Sequence, residues 1–357
     1  MISISVCMIV KNEEKVLARC LDCAKRVADE IIIVDTGSED KTKEIASYYT
    51  DYVYDFVWCD DFSKARNYAF SKATKDFCMW LDADDVILEK DIDKLMDLKL
   101  VLDPNVDQVM MKYDVGFDEN GIPTLSYYRE RWIHNHRGFL WEGVIHEIIP
   151  PKGDIYYADI SITHKKIHIA DPNRNIKNFE GRLNKGILLN PREQFYYARE
   201  LYFHKRYRDA FNMFDIFLSE GKGWIENNID ACELMGYCAY ELENENPLDF
   251  FFKSFIYDLP RAEICCDIGK YFIDQENYTL AIFWYEMALT KEIDKTSNAF
   301  VKIDCYNYIP SLQLCVCWWK LGDIEKAKSY NEIAGSYKPK SKEVKRNQLY
   351  FSTLPFM

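Results

Sequence analysis

Two regimes of hydrophobic patterning divide the chain. In residues 1–172, short apolar runs alternate with segments of helical period. Ile2–Val10, Glu30–Asp35 and Phe77–Leu81 are apolar at nearly every position, without polar alternation, as expected of strands buried on both faces of a parallel sheet. Tyr52–Trp58 reads as a further strand. Between them, Val16, Leu17, Cys20, Leu21 and Ala24 keep a helical period within Glu13–Val27, and Phe62, Ala65, Ala69 and Ala73 do so within Asp61–Thr74. Gly37 supplies a flexible turn, and Ser38 is the expected N-cap of a helix running to Tyr49. An amphipathic helix, Glu89–Leu100, is followed by a strand, Gln108–Phe117, and an Asn120-Gly121 hairpin turn. Tyr127–Ile133 alternates as the return strand, and Ile160–His164 as another. This order predicts an open, mainly parallel α/β sheet with right-handed crossovers.

Beyond Asp171-Pro172 the strand pattern stops, and residues 173–357 read as a second, all-α domain. A first helix spans about Asn173–Leu189, and a repeated register follows. Gly269, Phe272, Ala281, Tyr285 and Ala288 give a small–large–Ala–aromatic–Ala spacing. Ala198, Leu201, Ala210, Phe214 and Phe217 share it, as do Gly236, Ala239, Leu248, Phe252 and Phe255, and Cys315, Trp318, Ala327, Asn331 and Ala334. Small residues let paired helices approach and aromatic knobs fill the space between them, which is tetratricopeptide-like packing. The longer step from Gly269 to Cys315 places an insertion near Glu292–Asp304.

Composition narrows the class. The 357 residues are 48% hydrophobic and 15% aromatic, as in a globular chain with sizeable cores. A net charge of −13, with no basic run longer than two, argues against a nucleic-acid partner. The Met1–Ser5 opening lacks the features of a secretory signal, and no apolar run approaches the ~20 residues of a spanning helix. The 12 cysteines lack histidines at zinc-finger spacing, so reduced, mostly buried thiols in a cytoplasmic protein are expected.

The chemistry concentrates after the fourth strand, in Asp82-Ala83-Asp84-Asp85. Continued extended, that stretch would put Asp82 and Asp84 on one face and Asp85 on the other. Two carboxylates at the carboxyl end of a central strand suit a divalent cation shared with phosphate oxygens. Asn12, Glu13, Asp35 and Gly37 collect at the same ends. No G-x-G-x-x-G follows the first strand and no G-x-x-x-x-G-K-[ST] occurs, so phosphate must be held by metal and arginine.

Ser5–Glu14, Ile33–Thr42, Asp61–Asn67 and Leu81–Asp84, in that order, resemble the motifs of family 2 glycosyltransferases of the Rossmann-like GT-A fold. The resemblance covers the first half of the chain. It implies transfer of a sugar from a nucleoside diphosphate donor with inversion, assisted by Mn²⁺ or Mg²⁺. Carried over, Val10, Asn12, Glu13, Asp35, Gly37, Arg66, Asp82 and Ala83 would hold the donor, Glu13 and Asp35 at the base or ribose. Asp82 and Asp84 would meet the metal, and His164 would complete its shell, with His146 and His168 as rivals. The subgroup usually has Glu where this chain has Asp85. It also has Gly and an aromatic after the late His, where this chain has His164-Lys165-Lys166-Ile167-His168.

Inverting transfer needs a base for the acceptor proton. In Trp141-Glu142-Gly143-Val144-Ile145-His146-Glu147, either Glu142 or Glu147 could serve. The family-like W-x-G-x-x-H-E pattern favours Glu147, with His146 orienting it or the acceptor. Arg129 and Arg131 share a strand face, either solvated or in contact with phosphate.

A transferase domain joined to helical repeats resembles enzymes that glycosylate flagellin or bacteriocin peptides. The resemblance implies a UDP-sugar donor (N-acetylglucosamine or glucose), a protein or peptide acceptor on Ser, Thr or Cys, and a homodimer through the repeats. The alternatives are a transferase of surface polysaccharide or lipid-linked glycan, and an inactive sugar-nucleotide-binding scaffold.

Overall fold

The structure, a computed structural model, describes residues 1–167, 171–243, 245–294 and 298–354. His168 lies outside the described residues. The chain separates into two compact units. The first gathers Met1–Val115 and Ser126–Lys185; the second gathers Gly116–Leu125, Gly186–Asp294 and the chain from Ala299 onward.

The first unit is built on strands β1 (Ile4–Val10), β2 (Glu30–Asp35), β3 (Val53–Asp55), β4 (Phe77–Trp80), β5 (Asp85–Val86), β6 (Gln108–Phe117), β7 (Pro123–His134) and β8 (Ile155–His164). Their order is β3-β2-β1-β4-β7-β6-β8-β5. β1 runs parallel to β2 and β4, β2 to β3, and β6 to β8, while β7 joins β4 antiparallel and β5 joins β8 antiparallel. Parallel neighbours require crossovers, supplied by α1 (Leu17–Ala24), α2 (Thr42–Ser47) and α3 (Phe62–Phe70). The strand order reverses between β1 and β4, which opens a crevice at their carboxyl ends.

Burial explains the unbroken apolar runs. On one face Val6, Met8, Ile33 and Met79 pack with Leu17 and Leu21 of α1 and with Ile92 and Leu95 of α4 (Glu89–Val101). On the other, Cys7, Ile32, Val34 and Cys78 pack with Ala69 and Ala73. In β8 the pairing with β6 jumps from Met110↔Tyr157 to Lys112↔Ser161, a bulge in β8. A last helix of this unit, α5, covers Arg174–Asn184.

Two helix starts differ from expectation. α1 begins at Leu17 because Val16 and Leu17 donate their N–H groups to the Glu13 carbonyl in a preceding turn. Ser38 does not cap α2. Its N–H is held by Asp35 and its Oγ accepts the Asn12 N–H, so the helix starts at Thr42, whose N–H donates to Asp40. Asp61, by contrast, caps α3 through the Lys64 N–H at 3.1 Å.

The second unit is helical: α6 (Pro191–Phe203), α7 (Tyr207–Glu220), α8 (Ile225–Leu242), α9 (Pro247–Lys253), α10 (Ala262–Asp274), α11 (Tyr278–Leu289), α12 (Tyr308–Lys320), α13 (Ile324–Tyr337) and α14 (Lys342–Ser352). The small positions lie against aromatic rings. A Cβ on Gly269 would stand 2.8 Å from the Tyr285 ring, and one on Gly236 2.2 Å from Phe251. At Gly236 the knob is thus Phe251, fully buried, and not Phe252, which is 39% exposed. All 12 cysteines are free thiols. Among the described residues no helix is long and apolar enough to cross a membrane.

Candidate active site

β4 ends at Trp80, and Asp82-Ala83-Asp84-Asp85 is a turn closed by the Asp85 N–H on the Asp82 carbonyl at 3.0 Å. Alternation therefore stops before the carboxylates, and each is placed by a different partner. Asp82 Oδ1 accepts from Arg66 Nη2 at 2.7 Å. Asp84 Oδ1 lies 3.3 Å from His164 Nδ1. Asp85, fully buried, opens β5 directly opposite His164 of β8. Its Oδ1 accepts from the Tyr113 hydroxyl at 2.8 Å and lies 3.3 Å from His164 Nδ1, while its Oδ2 takes Arg131 Nη1 at 3.2 Å and the Asp82 N–H at 3.0 Å. Asp84, Asp85 and His164 each offer a ligand atom within 4.8 Å of the others.

The clustered charge shows in the titrations. Burial, with Asp82 and Asp85 nearby, raises the Asp84 carboxyl although His164 opposes it. Burial and the charges of Asp84, Asp82 and Asp40 push Glu13 to about 7. For Asp82 the upward push of burial is overcome by Arg66, which holds it at about 2. Burial depresses His164, but its hydrogen bond to Asp85 and the charge of Asp84 leave it raised overall. The lip of the crevice thus carries a surplus of negative charge.

Arg66 is the hub of the opposite wall. It is 7% exposed and lies between Trp80 and Trp141, 4.8 and 4.9 Å from their ring centres. Besides Asp82, its Nε reaches Glu147 Oε1 at 2.6 Å. The capped start of α3 aims Arg66 here, and the next residue, Asn67, ties down the Trp141 backbone through both its amide groups. Phe62 N–H donates to the Val144 carbonyl, and Glu142 and Ile148 exchange backbone hydrogen bonds, closing the loop that carries Glu147. Within that loop Gly143 and His146 adopt positive φ, +95° and +53°. Glu142 is exposed. Arg129 donates to the Glu147 carbonyl at 3.1 Å and pairs with Glu130.

At the β1–β2 end the side chains organise backbone. Asn12, at φ +56°, accepts from the Glu39 N–H through Oδ1 at 2.8 Å. Asp35 Oδ1 accepts from the N–H groups of Gly37 and Ser38, both at 2.9 Å, with Gly37 at φ +103°. The Val10 carbonyl accepts from Thr36. Asp35 Oδ2 is buried and has no hydrogen-bond partner among the described residues.

The profile of the family described as Glycosyl transferase family 2 matches residues 5–153. This segment is a family 2 glycosyltransferase domain. The chain is 24% identical, over 83% of its length, to the SPbeta prophage-derived glycosyltransferase SunS of Bacillus subtilis, and spans 74% of that protein. It is 44% identical over 88 residues to a TPR repeat-containing protein of Synechococcus elongatus, a match covering 25% of this chain and 22% of that relative's length. Among solved structures, glucosyl-3-phosphoglycerate synthase from Mycobacterium tuberculosis, in complex with Mg²⁺ and UDP, aligns at 20% identity with a TM-score of 0.28. That alignment covers 31% of this chain and 44% of the synthase.

Within the glycosyltransferase domain the residues singled out from the sequence fall into two sets. Asp82, Arg66 and Glu147 form one chain of ion pairs, and Glu13 joins Asp82 and Asp84 in a shared field. Val10, Asn12, Asp35 and Gly37 shape the neighbouring lip, and Ala83 is buried in the turn. Several contributors were not anticipated. Asp85 turns back towards His164, Tyr113 bridges the two, and Trp80 and Trp141 enclose Arg66. Arg131 is neither solvated nor at the lip: it is fully buried against Asp85, with Trp80 3.6 Å from its guanidinium. An Asp facing an Arg across adjacent buried strands was the available signal, but only strand order reveals that they meet.

Proposed function

We propose that the protein is a metal-dependent, inverting glycosyltransferase that moves N-acetylglucosamine or glucose from a UDP-sugar to Ser, Thr or Cys of a protein or peptide. Residues 1–172 would perform the transfer and residues 173–357 recognise the acceptor, in a reducing, cytoplasmic setting suited to 12 free thiols. The observation that carries the reading is the pairing of a carboxylate–imidazole cluster, Asp84 with His164, with a carboxylate, Glu147, held in place by Arg66.

The residues present fit a divalent cation. Asp84 is a half-buried carboxylate raised by its acidic neighbours, the mark of a donor group short of positive charge. Asp84 and His164 would hold Mn²⁺ or Mg²⁺ together with Asp82, whose Oδ1 alone is taken by Arg66, while Asp85 braces the imidazole. When bound, the cation neutralises charge on the leaving diphosphate. Asp35, with its unpartnered buried Oδ2, would accept from the nucleoside beside Asn12 and Gly37. Glu147, anchored through Oε1, would take the acceptor proton on its other oxygen, with His146 next to it orienting the incoming group. Arg66 keeps Glu147 ionised and fixed.

The test is a panel of nucleotide sugars with the purified protein and Mn²⁺, reading release of nucleoside diphosphate, with Asp84→Ala in parallel. Turnover of a UDP-sugar that EDTA and Asp84→Ala abolish is the expected result. Turnover indifferent to both, or no binding of any nucleotide sugar, refutes it.

A further inference from the structure

The transfer chemistry leaves one charged cluster unused, in the second unit. Arg199 of α6, Asp230, Glu233 and Tyr237 of α8, and Glu263 and Asp267 of α10 converge on the segment that links α11 to α12. Lys302 of that segment extends its ammonium to Glu233 and to the Tyr237 hydroxyl, and its backbone N–H donates to Glu263 Oε1 at 2.9 Å. The Tyr306 hydroxyl donates to the other Glu263 oxygen at 3.0 Å. The Arg199 guanidinium stands 4.3 Å from the centre of the Phe300 ring. Tyr237 also reaches Asp267 at 2.8 Å, and Arg199 Nε lies 3.9 Å from Asp230.

The segment lies on these helices without being part of their core. No residue from Phe300 to Asp304 is fully buried, and the Lys302 side chain is 41% exposed where its partner Glu233 is 8% exposed. The acids belong to the helices, and the cation that compensates them comes from a linker. Phe300 and Lys302 are two positions apart in extended chain, so both side chains turn to the same side. The anchors are an aromatic ring over an arginine, an ammonium on a carboxylate and one backbone amide, all of which another extended peptide can supply.

We propose that Phe300–Lys302 is a displaceable self-ligand, and that the surface it covers on α6, α8 and α10 docks an extended peptide presenting an aromatic residue and, two positions later, a lysine. The seated segment defines the partner's chemistry: its ring meets Arg199, its cation meets Glu233, and an intervening N–H meets Glu263. Docking is independent of the sugar-transfer reaction and stands or falls separately from it.

The probe is a fluorescein-labelled peptide with the sequence of residues 299–303, titrated into the full-length protein and into Phe300→Ala/Lys302→Ala. The variant, shown to be folded by circular dichroism, is expected to bind at least about tenfold more tightly than the wild type, and not to bind a peptide with Glu in place of Lys. A folded variant that ignores the peptide, or binds both peptides alike, overturns the proposal. Should the variant not fold, hydrogen exchange of the wild type decides. Exchange of the Lys302 amide by local opening, at least about tenfold faster than the amides of α8 and α10, upholds displacement. Exchange only with global unfolding overturns it.

Discussion

Replacing Arg66 by methionine tests the central ion-pair chain. Methionine keeps much of the side-chain volume between Trp80 and Trp141 and removes the charge that Asp82 and Glu147 share. Asp82 falls from 3.8 to about 2, equivalent to about 2.4 kcal/mol at 1.36 kcal/mol per unit. Its side chain is 34% exposed, so solvent screening reduces this to about 1–2 kcal/mol. Glu147, 11% exposed, loses a charged hydrogen bond worth about 1.5–3 kcal/mol. Together they give roughly 3–5 kcal/mol, the usual cost of stranding a buried charge. For a unit of this size that lowers the melting temperature by roughly 6–20 °C, measured by thermal denaturation. Arg66→Lys should lie between, because a single ammonium cannot serve both carboxylates in a fork. The sign with pH is fixed: a depressed carboxyl contributes stability above its unfolded value of 3.8, and this is lost as pH falls towards 2. Arg66→Met should lack that acid limb. A variant as stable as the wild type at pH 7, with the same acid profile, would refute the assignment of Arg66 as the hub.

Three further outcomes are expected. Glu263 is raised from 4.5 to about 7 by burial and by Glu233, so the folded state holds its proton more tightly than the unfolded chain. Stability should therefore fall as pH rises between these values, by up to about 3 kcal/mol, and Glu263→Gln should flatten the denaturant midpoint between pH 5 and pH 8. Tyr113→Phe removes the hydroxyl that bridges Asp85 and His164, and titration calorimetry should show Mn²⁺ binding weakened roughly 10–100-fold; unchanged affinity removes His164 from the metal shell. Gly236→Ala drives a Cβ to 2.2 Å from Phe251 and should cost about 1–3 kcal/mol, more than Gly269→Ala at 2.8 Å from Tyr285; thermal melts showing the reverse order contradict the packing account.

How far the chain could be read without coordinates depended on how local the information was. The buried strands β1, β2 and β4 and the helix α3 announce themselves by uninterrupted apolar runs and a capping Asp61, each contained in a few residues. The small–aromatic register of the helical unit was visible for the same reason, and it slipped by one residue at Phe251, where two neighbouring phenylalanines made the knob ambiguous. The Asp82–Asp85 stretch was misread in conformation because alternation was extended past the end of β4 into a turn. Arg131, Tyr113 and Asp85 were out of reach of local pattern, since they meet only through the order β4-β7-β6-β8-β5. Long-range pairing of strands is what a single sequence conceals.

The bulge in β8 sets the phase of the metal cluster. Between Met110↔Tyr157 and Lys112↔Ser161, β8 spends two more residues than β6, and only then does His164 arrive opposite Asp85. Deleting two residues there would preserve which side chains face inward, because the count is even, yet draw His164 roughly 6–7 Å along the strand, away from its carboxylates. A homologous chain could keep every residue of the cluster and still lack the cluster. Whether a relative can assemble it is therefore decided by strand length, and comparing bulges will sort competent sequences from look-alikes better than comparing motifs.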